Sequence, residues 1–194
     1  MSTFFIIFLL TLQSFGSSNQ NSYDRAVSKI KFNHVSHNVI TLENGLKINV
    51  SYHGFSSDRS NQTLRIIKMA SDAIHKSFYA LGAVQDCKDI KLNVYDVRKS
   101  TLNNRSIMTF AQWSNWDNMN VSALYETGYE RFNEPAMFVS ALNEDDPSGL
   151  DLRARVRTIA HETVHYWQDR SCMLHETKSE SDAYAFEVFF MSSF

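Results

Sequence analysis

LDLRARVRTIAHETVHYWQ, residues 150–168, is the stretch on which the reading of this chain turns. Leu152, Val156, Ile159, Ala160, Val164 and Trp167 recur at three- and four-residue spacing, which predicts a helix from Leu150 to Gln168 with one apolar stripe. No Gly or Pro interrupts it. Arg157, His161 and His165 form a row on the side away from that stripe. The helix is therefore expected to pack one face on a core and to turn its two histidines toward a cleft.

Within this helix, His161-Glu162-Thr163-Val164-His165 matches the pattern H-E-x-x-H. Residues four apart are turned by about 400°, so the two imidazoles project within about 40° of each other, one turn apart. That lets both bind one metal ion. Glu162 points to a neighbouring side, from which it reaches a water on the metal rather than the metal itself. Two plainer readings stand beside this one: a solvated polar face with two exposed histidines, and a metal site without catalysis.

A catalytic zinc site uses three protein ligands and leaves one position open. His175, Glu176, Glu180 and Glu187 follow the histidine pair and are the candidates for the third. Glu180 is the choice, because it opens a further helix predicted over Ser179 to Phe190. Thr177-x-x-Glu180 and Ser179-x-x-Asp182 are capping boxes at its start, and Ala183, Phe186 and Phe190 form its apolar face. After a short turn, such a helix folds back antiparallel to the first. A three-histidine site using His175 is the alternative. The longer pattern H-E-x-x-H-x-x-G-x-x-H is excluded, since position 168 is Gln and position 171 is Ser. Asp169, four residues after His165, stands where it can accept the other ring proton of that ligand. His175 reads as a loop residue or as a transition-state donor. Tyr184 reads as a packing residue or as a support for Glu180, and Glu187 as exposed.

The combination of H-E-x-x-H with Glu180-Ser181-Asp182-Ala183-Tyr184-Ala185 shortly after it resembles the minimal gluzincins, compact metallopeptidases with a thermolysin-like site. The resemblance spans about Leu152 to Phe190. It implies His161, His165 and Glu180 as zinc ligands, Glu162 as general base, Zn2+ as cofactor and a peptide or protein as substrate. It also implies that the strand before the helix, Ala136 to Leu142, forms the upper edge of the cleft, where a substrate peptide adds as a further strand. The rival expectation is a non-catalytic secreted protein, an effector or binding protein that uses the same scaffold to hold zinc.

The rest of the chain supplies a sheet and one more helix. Val39 to Tyr52 reads as a hairpin turning at Asn44-Gly45. Leu64, Ile67, Ala70, Ile74, Phe78 and Leu81 predict a helix over Thr63 to Leu81, with Gly82 as its C-terminal cap. Ile90 to Val97 and Ala136 to Leu142 read as strands. Glu144 to Gly149 reads as a turn. The expected fold is α+β: a small zincin-like domain in which a short mixed β-sheet packs on an N-terminal helix, the H-E-x-x-H helix and a C-terminal glutamate helix.

Phe4 to Leu12 is an uncharged apolar run followed by small residues, which reads as a secretory signal peptide over residues 1–16. Residues 17–194 are then one secreted domain. At nine residues the run falls short of the roughly 20 that a spanning helix needs. Cys87 and Cys172 are either one disulfide or two thiols, and Asn49, Asn61, Asn104 and Asn120 carry the Asn-x-Ser/Thr pattern. Nineteen Lys+Arg against 21 Asp+Glu leave a net charge of −2, without the basic excess of a nucleic-acid binder. Of the seven His, His34, His37, His53 and His75 read as ordinary surface or loop residues.

Overall fold

The computed structural model describes residues 31–78, 90–98, 123–126, 135–141, 150–169 and 180–193. The expected signal peptide, Gly82, Cys87, Asn104, Asn120, the turn over 144–149, Cys172, His175, Glu176 and the capping residues Thr177 and Ser179 lie outside these residues.

Within them the fold is α+β, a mixed five-stranded sheet with three α-helices. The strands are β1 (His34–Thr41), β2 (Lys47–Gly54), β3 (Ile90–Arg98), β4 (Ala123–Glu126) and β5 (Ala136–Ala141), in the order β1-β2-β3-β5-β4. β1 and β2 are the expected hairpin. Gly45 takes φ 86 at its turn, a conformation that side chains with a Cβ resist, and donates its N–H to Leu42 O at 2.9 Å. β2, β3 and β5 run parallel, and β4 returns antiparallel to β5. β5 is therefore an inner strand, not the cleft edge expected of Ala136 to Leu142. Both of its edges are hydrogen-bonded, and Ala136, Met137, Phe138 and Val139 are all buried. An unbroken apolar run of this kind suits a strand covered on both faces. The sheet ends at β4 instead.

Helix α1 (Ser57–Ala73) starts six residues before its expected position. Its first turn is polar, so the apolar periodicity begins late. The start is set by Ser56, whose side chain accepts from Arg59 N at 3.3 Å. A π-helical turn, Ile74–Phe78, continues it. Helix α2 (Leu150–Asp169) packs against α1, β4 and β5, and helix α3 (Glu180–Ser192) packs on α2. The expected stripe of α2 is buried except for Leu152, which is exposed. Ile40, Ile48, Val50, Leu92, Val94, Met137 and Val139 project from one face of the sheet into the same core as Ile67, Ala70, Ile159, Val164 and Trp167 of the helices.

A buried carboxylate ties these layers together. Asp96 at the end of β3 accepts two hydrogen bonds from Arg59 of α1, both 3.1 Å, one from Arg155 of α2 at 3.0 Å and one from the Tyr52 hydroxyl at 2.6 Å. Arg155 also donates to Thr63 Oγ1 at 2.6 Å. Burial, and then the adjacent carboxylate, push the Tyr52 phenol well above its ordinary value, so it stays a donor. Gly54 leaves room for that phenol, since a Cβ there would lie 2.6 Å from its oxygen. Removing the carboxylate takes the charged partner away from the buried Arg155 and from the part-buried Arg59. Asp96→Ala is expected to cost about 3–5 kcal/mol in urea unfolding, and a loss below about 1 kcal/mol, the scale of a surface pair, would contradict this role.

His75 and His53 are not ordinary surface residues. The His75 ring sits edge-on to Trp167 at 4.3 Å, and His53 stacks on Tyr95 at 4.9 Å. Burial pushes both imidazoles below their ordinary value. The folded state thus resists a proton that the unfolded chain accepts, and stability should fall as pH drops below about 6.5. His75→Gln is expected to flatten that slope in melts between about pH 7 and 5. An unchanged slope would show that His75 does not titrate differently in the two states.

Candidate metal centre

The site is built by α2 and the helix folded back over it. His161 and His165 stand one turn apart on α2, and α3 brings Glu180 to both. His161 Nε2 and His165 Nε2 are 3.2 Å apart. Glu180 Oε2 lies 3.3 Å from His161 Nε2, and Glu180 Oε1 lies 3.3 Å from His165 Nε2. The three residues chosen from the sequence are thereby brought together, and they form the one group of three or more metal-ligating side chains among the described residues.

The spacing fits a metal. A tetrahedral zinc ion with ligand arms of about 2.0–2.1 Å has ligand-to-ligand edges of about 3.3–3.4 Å. The imidazole pair at 3.2 Å sits close to that value, and each imidazole has one Glu180 oxygen at 3.3 Å, Oε2 for His161 and Oε1 for His165; taken as one ligand atom from each residue, the three lie within 4.8 Å of one another. Two imidazoles and a carboxylate are also a donor set that zinc accepts. Glu162 is not part of the group. It is buried at 8% exposure, on a helix otherwise committed to the core.

The register of the two helices follows from their polar contacts. Glu180 faces His161 and His165, while Glu187, two turns further along α3, faces Arg157 and His161. Advancing along α3 thus means retreating along α2, the antiparallel return expected from the sequence. Ala183, Phe186 and Phe190 are buried and hold that register.

Each imidazole is approached at its second nitrogen as well. His165 Nδ1 lies 3.0 Å from Gln168 Oε1, so the orienting partner is Gln168 and not the expected Asp169. Three residues on, the Gln side chain lies on the same side of the helix as His165, and at 6% exposure it is buried there. His161 Nδ1 faces Glu187 Oε2 at 3.4 Å. Glu187 is a second correction: it was expected to be exposed and is buried, at 5%. Its neighbours Phe186 and Phe190 are apolar, so the sequence signal was an acidic residue inside a buried stripe. Tyr184 is half exposed, its ring 4.8 Å from that of His161 and nearly edge-on.

His161 is buried at 9% exposure. That burial, and then the neighbouring His165, hold its imidazole below the ordinary value against the opposing pull of Glu180 and Glu187. At neutral pH it is the uncharged base that a metal requires. No helix among the described residues is long and apolar enough to cross a membrane.

No model of a known protein family matches the chain, and no curated protein matches it.

Glu180→Ala is expected to abolish most zinc binding, read as metal per protein after desalting. Undiminished zinc in that variant would remove Glu180 from the ligand set and favour a three-histidine site with His175.

Proposed function

We propose that this chain is a secreted zinc-dependent metallopeptidase of the minimal gluzincin type. The reading rests above all on the convergence of His161 Nε2, His165 Nε2 and the Glu180 carboxylate, one ligand atom from each lying within 4.8 Å of the others, close enough to share one ion. The motif and its resemblance supply the reaction class, and the apolar run Phe4 to Leu12 supplies the export signal over residues 1–16.

Zinc at this site supplies Lewis acidity, which acidifies water and polarises a carbonyl. Everything else falls to the chain. His161, His165 and Glu180 would hold the ion. Glu162, the residue after the first ligand, would take the proton of the attacking water and deliver it to the leaving amine. The substrate is a peptide recognised through its backbone. β4, the terminal strand of the sheet among the described residues and a neighbour of α2, is the strand to which that backbone would add. The near-neutral net charge of −2 suits such a partner better than a polyanion.

Glu162→Gln separates metal binding from chemistry. The variant should keep its zinc and lose about a hundredfold to ten-thousandfold of peptide hydrolysis on an unfolded protein substrate. Hydrolysis equal to wild type would remove Glu162 as the base. A wild-type protein that binds zinc and cleaves no peptide would leave a zinc-holding scaffold in place of an enzyme.

A further inference from the structure

The carboxylate of Glu187 lies deeper in the protein than its neighbours in sequence require. It sits on α3, where the side chain is 7% exposed, and its two oxygens are divided between two residues of α2. Oε1 accepts from Arg157 Nε. Oε2 faces His161 Nδ1 at 3.4 Å. That nitrogen is shielded from water and has no partner in full hydrogen-bond geometry, so the 3.4 Å approach is the polar contact it has. The distance is within hydrogen-bond reach, and a small turn of the ring or the carboxylate would align it as an N–H···O bond.

Glu187 does not compete with Glu180 as a ligand. Nε2 of His161 is the nitrogen turned toward His165 and Glu180, while Glu187 stands at the opposite nitrogen of the same ring. A carboxylate in that position does two things. It fixes the tautomer that carries its proton on Nδ1, which leaves the Nε2 lone pair for the metal, and it makes the imidazole a stronger base. Arg157 completes the row. Its side chain is 60% exposed, so its charge is hydrated, and it partly neutralises a carboxylate that burial would otherwise disfavour.

We propose that Glu187 is a positioning residue for the metal centre, orienting and polarising His161, with Arg157 holding it in place. This rests on the metal reading of His161, His165 and Glu180. The two ligand histidines are thereby held unequally, His161 by a carboxylate from the facing helix and His165 by the neutral amide of Gln168 on its own helix. Docking of α3 therefore does more than deliver Glu180: it also sets the ligand strength of His161.

The test measures zinc affinity of the full chain by competition with a chromophoric chelator, beside the thermal melt of the same metal-free samples. Glu187→Gln keeps the shape of the side chain and removes its charge. It should weaken zinc binding by about 10- to 100-fold, the usual cost of losing such a partner. Arg157→Met, which leaves the carboxylate in place, should weaken zinc binding less than Glu187→Gln does. If Glu187 merely staples α3 to α2, both variants lower the melting temperature alike and leave zinc affinity within about twofold of wild type, which overturns the proposal. If Glu187→Gln melts near wild type and binds zinc as tightly, the proposal is overturned as well. A wild-type chain that binds no zinc overturns the metal reading, and this inference with it.

Discussion

Helix α2 has to be buried and charged at the same time. Val156, Ile159, Ala160, Val164 and Trp167 commit it to the core, yet Arg155, His161 and Glu162 are buried on the same 20 residues. An unmatched charge in such surroundings costs several kcal/mol. The contacts of Arg155 and His161 show how the surrounding elements meet these polar groups. Asp96 of β3 pairs with the Arg155 charge, and Glu187 of α3, itself paired with Arg157, faces the uncharged His161. The position of α2 between sheet and α3 is thus set by charge pairing as well as by apolar burial.

One consequence is that the two ends of α2 do different work. Around Arg155 the polar groups are closed on themselves: Asp96 is enclosed by Arg59, Arg155 and Tyr52, and ties β2, β3, α1 and α2 into one unit. Six residues on, around His161, the polar groups converge on a point where Nε2 atoms and a carboxylate face one another. The ligand atoms of these three side chains lie close enough together to share one cation. The closed network ties sheet and helices together, and the convergent one is the candidate metal centre.

The sequence made much of this legible. The 3.6-residue period of 150–168 and the apolar spacing of Ala183, Phe186 and Phe190 placed both helices, and the i, i+4 histidines with Glu180 placed the site. Asn44-Gly45 placed the hairpin. What escaped has identifiable physical causes. The first turn of α1 is polar and is defined by a cap rather than by apolar period. The inner position of β5 depends on pairing with a strand far away in the chain, which no local pattern encodes, although its unbroken apolar run was a cue. Glu187 was read as exposed, as acidic residues usually are, and Gln168 was given no role at the site. Their burial follows from partners on a facing helix or one turn away, a tertiary fact. The same holds for Asp96, an acidic residue in a strand whose two arginines come from α1 and α2.

The central claim is that one zinc ion is held by two imidazoles and one carboxylate where α2 and α3 cross. X-ray absorption at the zinc edge of the zinc-loaded protein reads this ligand set directly. The account predicts two imidazole shells and oxygen donors, all at about 2.0–2.2 Å, with no sulfur. A third imidazole, a zinc–sulfur distance near about 2.3 Å, or a purely oxygen shell would contradict it.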